Sequence, residues 1–144
     1  NCKILGCMGC EFKDHTALSK LTHLKKLFIN TILSKDEQTF NYIAKLSNLE
    51  ELAIGYVSKF FKFPNLSNLH KLHKILIFHC KNLVDIKEIA NIPSLYEFDI
   101  DCYLFKPIDL EFIMQIDGIQ RVAAQFGSKR LNEEFKSLLM KYNL

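Results

Sequence analysis

The sequence predicts an α/β solenoid of about six coils, with a parallel sheet along its concave face and a helix closing its C-terminal end. Three observations predict it. The first is the stretch Leu18, Leu21, Leu24, Leu27, Ile29, which puts an apolar residue at every third place and then closes on an alternating pair. Neither a helix, with period 3.6, nor a strand, with period 2, reads this way for long. The second is recurrence. The phrase returns as Ile43, Leu46, Leu49, Leu52, Ile54, then as Leu66, Leu69, Leu72, Ile75, Ile77, and again as Ile89, Ile92, Leu95, Phe98, Ile100. A more worn copy reads Ile113, Ile116, Ile119, Val122, Ala124. Copies starting at 18, 43, 66, 89 and 113 stand 25, 23, 23 and 24 residues apart, and self-similarity at such a period marks stacked coils. The third is a change of pattern after Gly127, where Leu131, Phe135, Leu138, Leu139 and Tyr142 share one face of a helix.

The first coil, roughly 1–17, is incomplete: Ile4–Met8 reads as a strand, with Leu5 beside Leu27 and Cys7 beside Ile29. The second, 18–42, has its strand at Lys26–Asn30 and a return segment whose main inward residue is Phe40. The third, 43–65, places a strand at Glu51–Gly55 and returns through Phe60, Phe61 and Phe63. The fourth, 66–88, is the most regular, with a strand at Lys74–Phe78 and then Cys80, Leu83 and Ile86 at inward spacing. In the fifth, 89–112, Pro93 falls in the turn before the strand Glu97–Asp101, where a missing N–H costs no ladder bond. The sixth, 113–127, has its strand at Arg121–Gln125. A helix over 130–143 then covers the last coil, with Asn132 as N-cap, Glu133 and Glu134 in the first turn and Lys141 in the last, as the helix dipole prefers. One coil cannot bury its own apolar side, whereas stacked coils share a continuous core.

These residues resemble the leucine-rich repeat family, whose pattern is LxxLxxLxLxx(N/C)xL, over nearly the whole chain. The departure is the Asn/Cys column, which reads Cys10, Ile32, Val57, Cys80, Tyr103, Gly127 with no Asn; irregular loops and variable curvature are the expectation. The short Lys/Asn/Ile-rich repeats and the closing Gly127-Ser-Lys-Arg130 are similar to those of bacterial leucine-rich repeat proteins. The resemblance implies a protein-binding module, and some small proteins of this kind act as immunity or effector-binding proteins, for example against a toxin.

Length and composition agree with a single folded domain: 144 residues, 49% apolar and 24% charged. A net charge of +3 with no run of five basic residues gives no case for nucleic-acid or membrane-surface binding. Neither a stretch of transmembrane length nor a leader is visible. The sequence starts at Asn1 and enters a strand almost at once, which leaves an uncovered first coil; the expectation is a chain cut from a longer protein. Five cysteines spread through the coils read as thiols in a reducing, cytoplasmic setting.

Candidate chemistry is sparse. Cys7-Met-Gly-Cys10 lacks a second ligand pair for zinc and the βαβ setting of a redox motif, while the repeat alignment gives both cysteines structural places. His15, His23, His70, His73 and His79 read as solvated groups in turns and strand exits. No nucleophile–base pair is in view, so neither catalysis nor a metal or other cofactor is expected. Glu97, Asp99 and Asp101 alternate with core residues and fall together on the outward face, where like charges weaken a sheet. A solvated acidic face, or a surface for a protein partner with a basic patch, accounts for them. The outward row of each strand gives the predicted partner-binding face: Phe28, Asn30, Glu51, Lys74, Leu76, Phe78, Glu97, Asp99, Asp101 and Arg121. Large apolar groups beside oriented charge are what an interface presents. The alternative is a C-terminal structural or autoinhibitory repeat domain of a larger receptor or effector.

Overall fold

The period of three arises from the backbone. In the computed structural model, which describes residues 2–8, 16–30, 40–57, 61–101 and 104–144, each apolar residue of the phrase closes a tight turn onto the one before it. The Leu46 N–H donates to the Ile43 carbonyl at 3.0 Å and the Leu49 N–H to that of Leu46 at 2.9 Å. The same pair of bonds joins Leu18, Leu21 and Leu24, then Leu66, Leu69 and Leu72, Ile89, Ile92 and Leu95, and Ile113, Ile116 and Ile119. A chain with about three residues per turn eclipses positions i and i+3, so one face carries all the leucines. Ile43, Leu46, Leu49, Leu66, Leu69, Leu72 and Ile89 are fully buried.

Each phrase then opens into a strand. β1 (Ile4–Met8), β2 (Lys26–Asn30) and β3 (Glu51–Gly55) are followed by a short β4 (Phe61–Lys62) on the return side. β5 (Lys74–Phe78), a short β6 (Leu83–Asp85), β7 (Glu97–Asp101) and β8 (Arg121–Gln125) complete the set. Six of them form one parallel sheet in the order β1-β2-β3-β5-β7-β8, and β4 pairs with β6 in a second, parallel ladder. The long strands fall where the sequence places them, and the register stacks like on like: Leu5, Leu27, Leu52, Ile75, Phe98 and Val122 stand side by side. At each step the residue preceding a strand lends one carbonyl to two N–H groups of the next coil; the carbonyls of Lys3, Lys25, Glu50, His73 and Tyr96 all do so. The return segments add Phe40, Phe61, Phe63, Cys80, Leu83 and Ile86 to the core. Short 3-10 helices at Asn41–Lys45, Lys87–Asn91, Pro107–Leu110 and Ile113–Gln115 make up much of the remaining path.

The neighbour-bonding role of the family's Asn/Cys column is kept at Cys80 and is shared with the turns before the strands. The Cys80 thiol, in that column, donates to the Ile54 carbonyl of the preceding coil at 3.7 Å and to that of Phe78 at 3.5 Å. Amide side chains do the same work in the turns before the strands: Asn48 donates to the Thr22 carbonyl at 2.8 Å and Asn68 to that of Ala44 at 2.6 Å. Cys10, Ile32 and Tyr103 lie outside the described residues, as do Phe60 and His15.

The C-terminal helix, Lys129–Lys141, starts earlier than its expected N-cap, and Ser128 holds the capping position. Asn132 sits inside the helix and its Oδ1 accepts the Phe126 N–H at 3.1 Å, tying the helix to the end of β8. Glu133 and Glu134 therefore fall beyond the first turn; Lys141 is in the last turn as expected. Phe135 is buried against Phe126 with ring centroids 5.3 Å apart. Lys141 and the Tyr142 hydroxyl both donate to Glu111, which fixes the far end of the helix to the last coils. Among the described residues, no helix is long and apolar enough to cross a membrane.

Candidate functional site

Strand alternation sends Leu27, Ile29, Leu52, Ile54, Ile75, Ile77, Phe98 and Ile100 to the core, so their neighbours form the open face of the sheet. In-register pairing arranges that face in three rows. The leading row runs Ile4, Lys26, Glu51, Lys74, Glu97, Arg121, with the sign of the charge alternating from Lys26 onward. Lys26 bonds Glu51 at 2.7 Å, Lys74 lies 3.0 Å from Glu97, and Arg121 also bonds Glu97. Cross-strand pairs of opposite charge support a sheet, so these acids serve the fold. The expectation of a solvated acidic face is corrected on this point. Glu97 is mostly enclosed, its side chain 13% exposed; burial alone would raise its pKa, but Lys74 and Arg121 outweigh that and hold it below the usual carboxylate range.

The middle row reads Gly6, Phe28, Ala53, Leu76, Asp99, Ala123. Phe28 is 41% exposed between the small Gly6 and Ala53, and Leu76 is half-buried on the other side of Ala53. Ala53 is itself buried beneath them. Asp99 lies 3.6 Å from Arg121, and partial burial lifts its carboxyl above the usual range despite that guanidinium.

The trailing row contains Asn30, Gly55, Phe78, Asp101 and Gln125. The Phe78 ring lies over Gly55 so closely that a methyl group there would collide with it. Glycine at 55 is what lets the ring lie down on the sheet. Tyr56 meets Phe78 edge-on at 5.5 Å and His79 at 4.8 Å, and His79 Nδ1 is 3.2 Å from Asp101 Oδ2. Asn30 Oδ1 and Asp101 Oδ1 are buried without a donor among the described residues.

Tyr56 and His79 are the residues sequence reasoning missed. Both sit just past a strand with positive φ, 54° and 52°, a conformation that costs a non-glycine residue about 1 kcal/mol. The turn lets the Tyr56 N–H reach the Phe78 carbonyl and the His79 N–H reach that of Asp101, and it brings both rings to the rim of the open face. Tyr56 carries no residue-type signal of this, and although His is enriched among non-glycine left-handed residues, a single His at a strand end does not distinguish such a turn from an ordinary exit. His79 stands at a strand exit with its side chain 40% exposed, and it also joins this cluster.

Of the expected face residues, the structure brings Phe28, Leu76, Phe78, Asp99 and Asp101 together with Tyr56 and His79; Glu51, Lys74, Glu97 and Arg121 form the charged border, and Asn30 lies at its trailing edge. Cys7 is buried in the core and Cys10 is outside the described residues.

No family model matches the chain, and comparison with curated proteins finds no match. Solved structures do match. One is internalin C2 from Listeria monocytogenes, 25% identical, with a TM-score of 0.56 over 78% of this chain and 46% of that one. Another is the internalin inlF from the same organism, 15% identical, with a TM-score of 0.44 over 87% of this chain and 48% of that one. The chain thus spans about half the length of the structures it matches. Internalins are leucine-rich repeat proteins.

Proposed function

The chain has the leucine-rich repeat fold, and from that premise we propose that it is a protein-binding module whose partner seats on the open, concave face of the sheet. The observation that carries this reading is the patch of Phe28, Leu76, Phe78 and Tyr56, with Phe28 41% and Tyr56 49% exposed, bordered by charge. Aromatic anchors ringed by polar groups are the usual energetic centre of an interface. Two further features support it. The strained turns at Tyr56 and His79 hold rings in place at some cost to the fold, and such strain clusters at binding sites. The carboxylates of Asp99 and Asp101 lie at one end of the patch, which suits a partner that presents a basic side chain beside apolar ones. Nothing in this mechanism is catalytic: the rings supply buried apolar area, and the charged border sets register and rejects partners of the wrong sign.

The test is a pull-down from the native source with wild type, Phe28→Ala and Asp99→Lys, each checked for an unchanged circular dichroism spectrum. The same protein should be captured by wild type and lost or weakened by about tenfold or more in each variant. Equal capture by all three would move the binding surface off this face.

A further inference from the structure

Beside the leading ends of the strands, outside the patch, is a hollow of about 360 Å³ lined by Lys3, His23, Lys25, Asn48, Glu50 and Lys71. It forms where two columns of the solenoid run side by side. Lys3, Lys25 and Glu50 precede successive strands and are linked through the doubled carbonyl bonds. His23, Asn48 and Lys71 precede the third apolar residue of successive phrases, so they stack in a parallel file. The repeat therefore builds this cluster: any residue type placed in those columns is brought to the same place.

The way each cation is held matters. Lys25 bonds Glu50 at 2.5 Å, and that hydrogen bond, with the fields of Lys25, His73 and Lys71, holds the Glu50 carboxyl below its usual range. Lys71 is oriented by a neutral acceptor, donating to Asn48 Oδ1 at 2.7 Å, while Asn48 is anchored through its other amide atom to the Thr22 carbonyl at 2.8 Å. Lys3 has no ion pair among the described residues. Three lysines against one carboxylate leave two positive charges around one concavity, with His23 available as a further donor. The hollow already stabilises one internal anion, and its excess charge matches a second.

We propose that this hollow is a binding site for a dianionic phosphoryl group, taken either as free phosphate or as a phosphorylated side chain, with Lys3 and Lys71 as its ligands and Glu50 as the competing internal anion. Charge-assisted hydrogen bonds from lysine to phosphate are among the stronger polar contacts. Asn48 acts as a positioning residue through Lys71.

The experiment is an amide NMR titration of the whole chain with inorganic phosphate and, separately, with a short phosphoserine peptide and its unphosphorylated form. Saturable shifts should appear at Lys3, Lys25, Asn48 and Lys71 with the phosphorylated probes and be absent with the unphosphorylated peptide. Lys71→Gln should weaken binding about tenfold, whereas Glu50→Gln should strengthen it, an effect that loss of structure would not produce. Tighter binding of the phosphopeptide assigns the source to a modified side chain; equal binding assigns it to the free ion. Shifts spread over lysines elsewhere, such as Lys20 and Lys129, or a Glu50→Gln variant that binds no better than wild type, would overturn the assignment.

Discussion

Glu97 and Asp99 stand two places apart on one strand face, and their pKa values are shifted in opposite directions. Glu97 is held below its usual value because Lys74 and Arg121 outweigh the burial that would raise it. It therefore contributes stability above the ordinary carboxylate range, and that contribution is lost as pH falls through its lowered value. Asp99 is raised, chiefly by burial, with Arg121 opposing and Glu97 adding to the rise. Its ionised form is disfavoured by the fold, so it detracts from stability increasingly as pH rises through its range. Glu97→Gln should lower Tm at pH 7, with the deficit closing in acid. Asp99→Asn should raise Tm at pH 7, with the gain disappearing below about pH 3, under the ordinary aspartate value. Melting curves across that range check both; shifts of the same sign at pH 7 would contradict the assignment. The outward placement of these acids was readable from strand alternation. Their partners, Lys74 and Arg121, stand at the first positions of the flanking strands, but how far each long cation reaches, as Arg121 does to both Glu97 and Asp99, depends on side-chain rotamers that alternation does not show.

The three-residue phrase was the clearest signal in the chain, and its physical content is a run of tight turns leading into a strand. Its buried positions carry the predicted energetics. Leu49 and Leu72 are fully enclosed, so Leu49→Ala or Leu72→Ala should each destabilise by about 2–5 kcal/mol in denaturant unfolding. Ile119, half-buried in the worn last copy, should lose less as Ile119→Ala. Equal losses at the three sites would mean that the phrase does not report burial. The strands were legible because alternation and repeat agreed. The helix start was not: Asn132 has the right chemistry for an N-cap, but its side chain bonds the Phe126 N–H across the turn instead, a tertiary use that no local pattern reveals. The turn amides Asn48 and Asn68 were missed for a related reason. They bond the coil before their own, from turns that precede the strand, whereas the family pattern puts its bonding Asn or Cys past it.

Stacking makes the arrangement nearly one-dimensional: each long strand pairs only with its neighbours in the sheet, and the core is continuous from Leu24 to Phe135. Such an architecture leaves one face of its sheet open. That face carries an apolar patch near its centre and Asp99 and Asp101 toward its C-terminal coils, while the lysine-lined hollow lies beside its first coils. The sequence located the face, but the closeness of Tyr56, Phe78 and His79 depends on two positive-φ turns and on a glycine beneath a ring. The central claim is that this face is where a partner sits. The most direct measurement places a photo-crosslinking amino acid at position 28, on the open face, and in a second protein at position 62, on the return side, and irradiates both in the native source. A single partner joined at 28 and absent at 62 is the predicted result; a partner joined at 62 with none at 28 would contradict it.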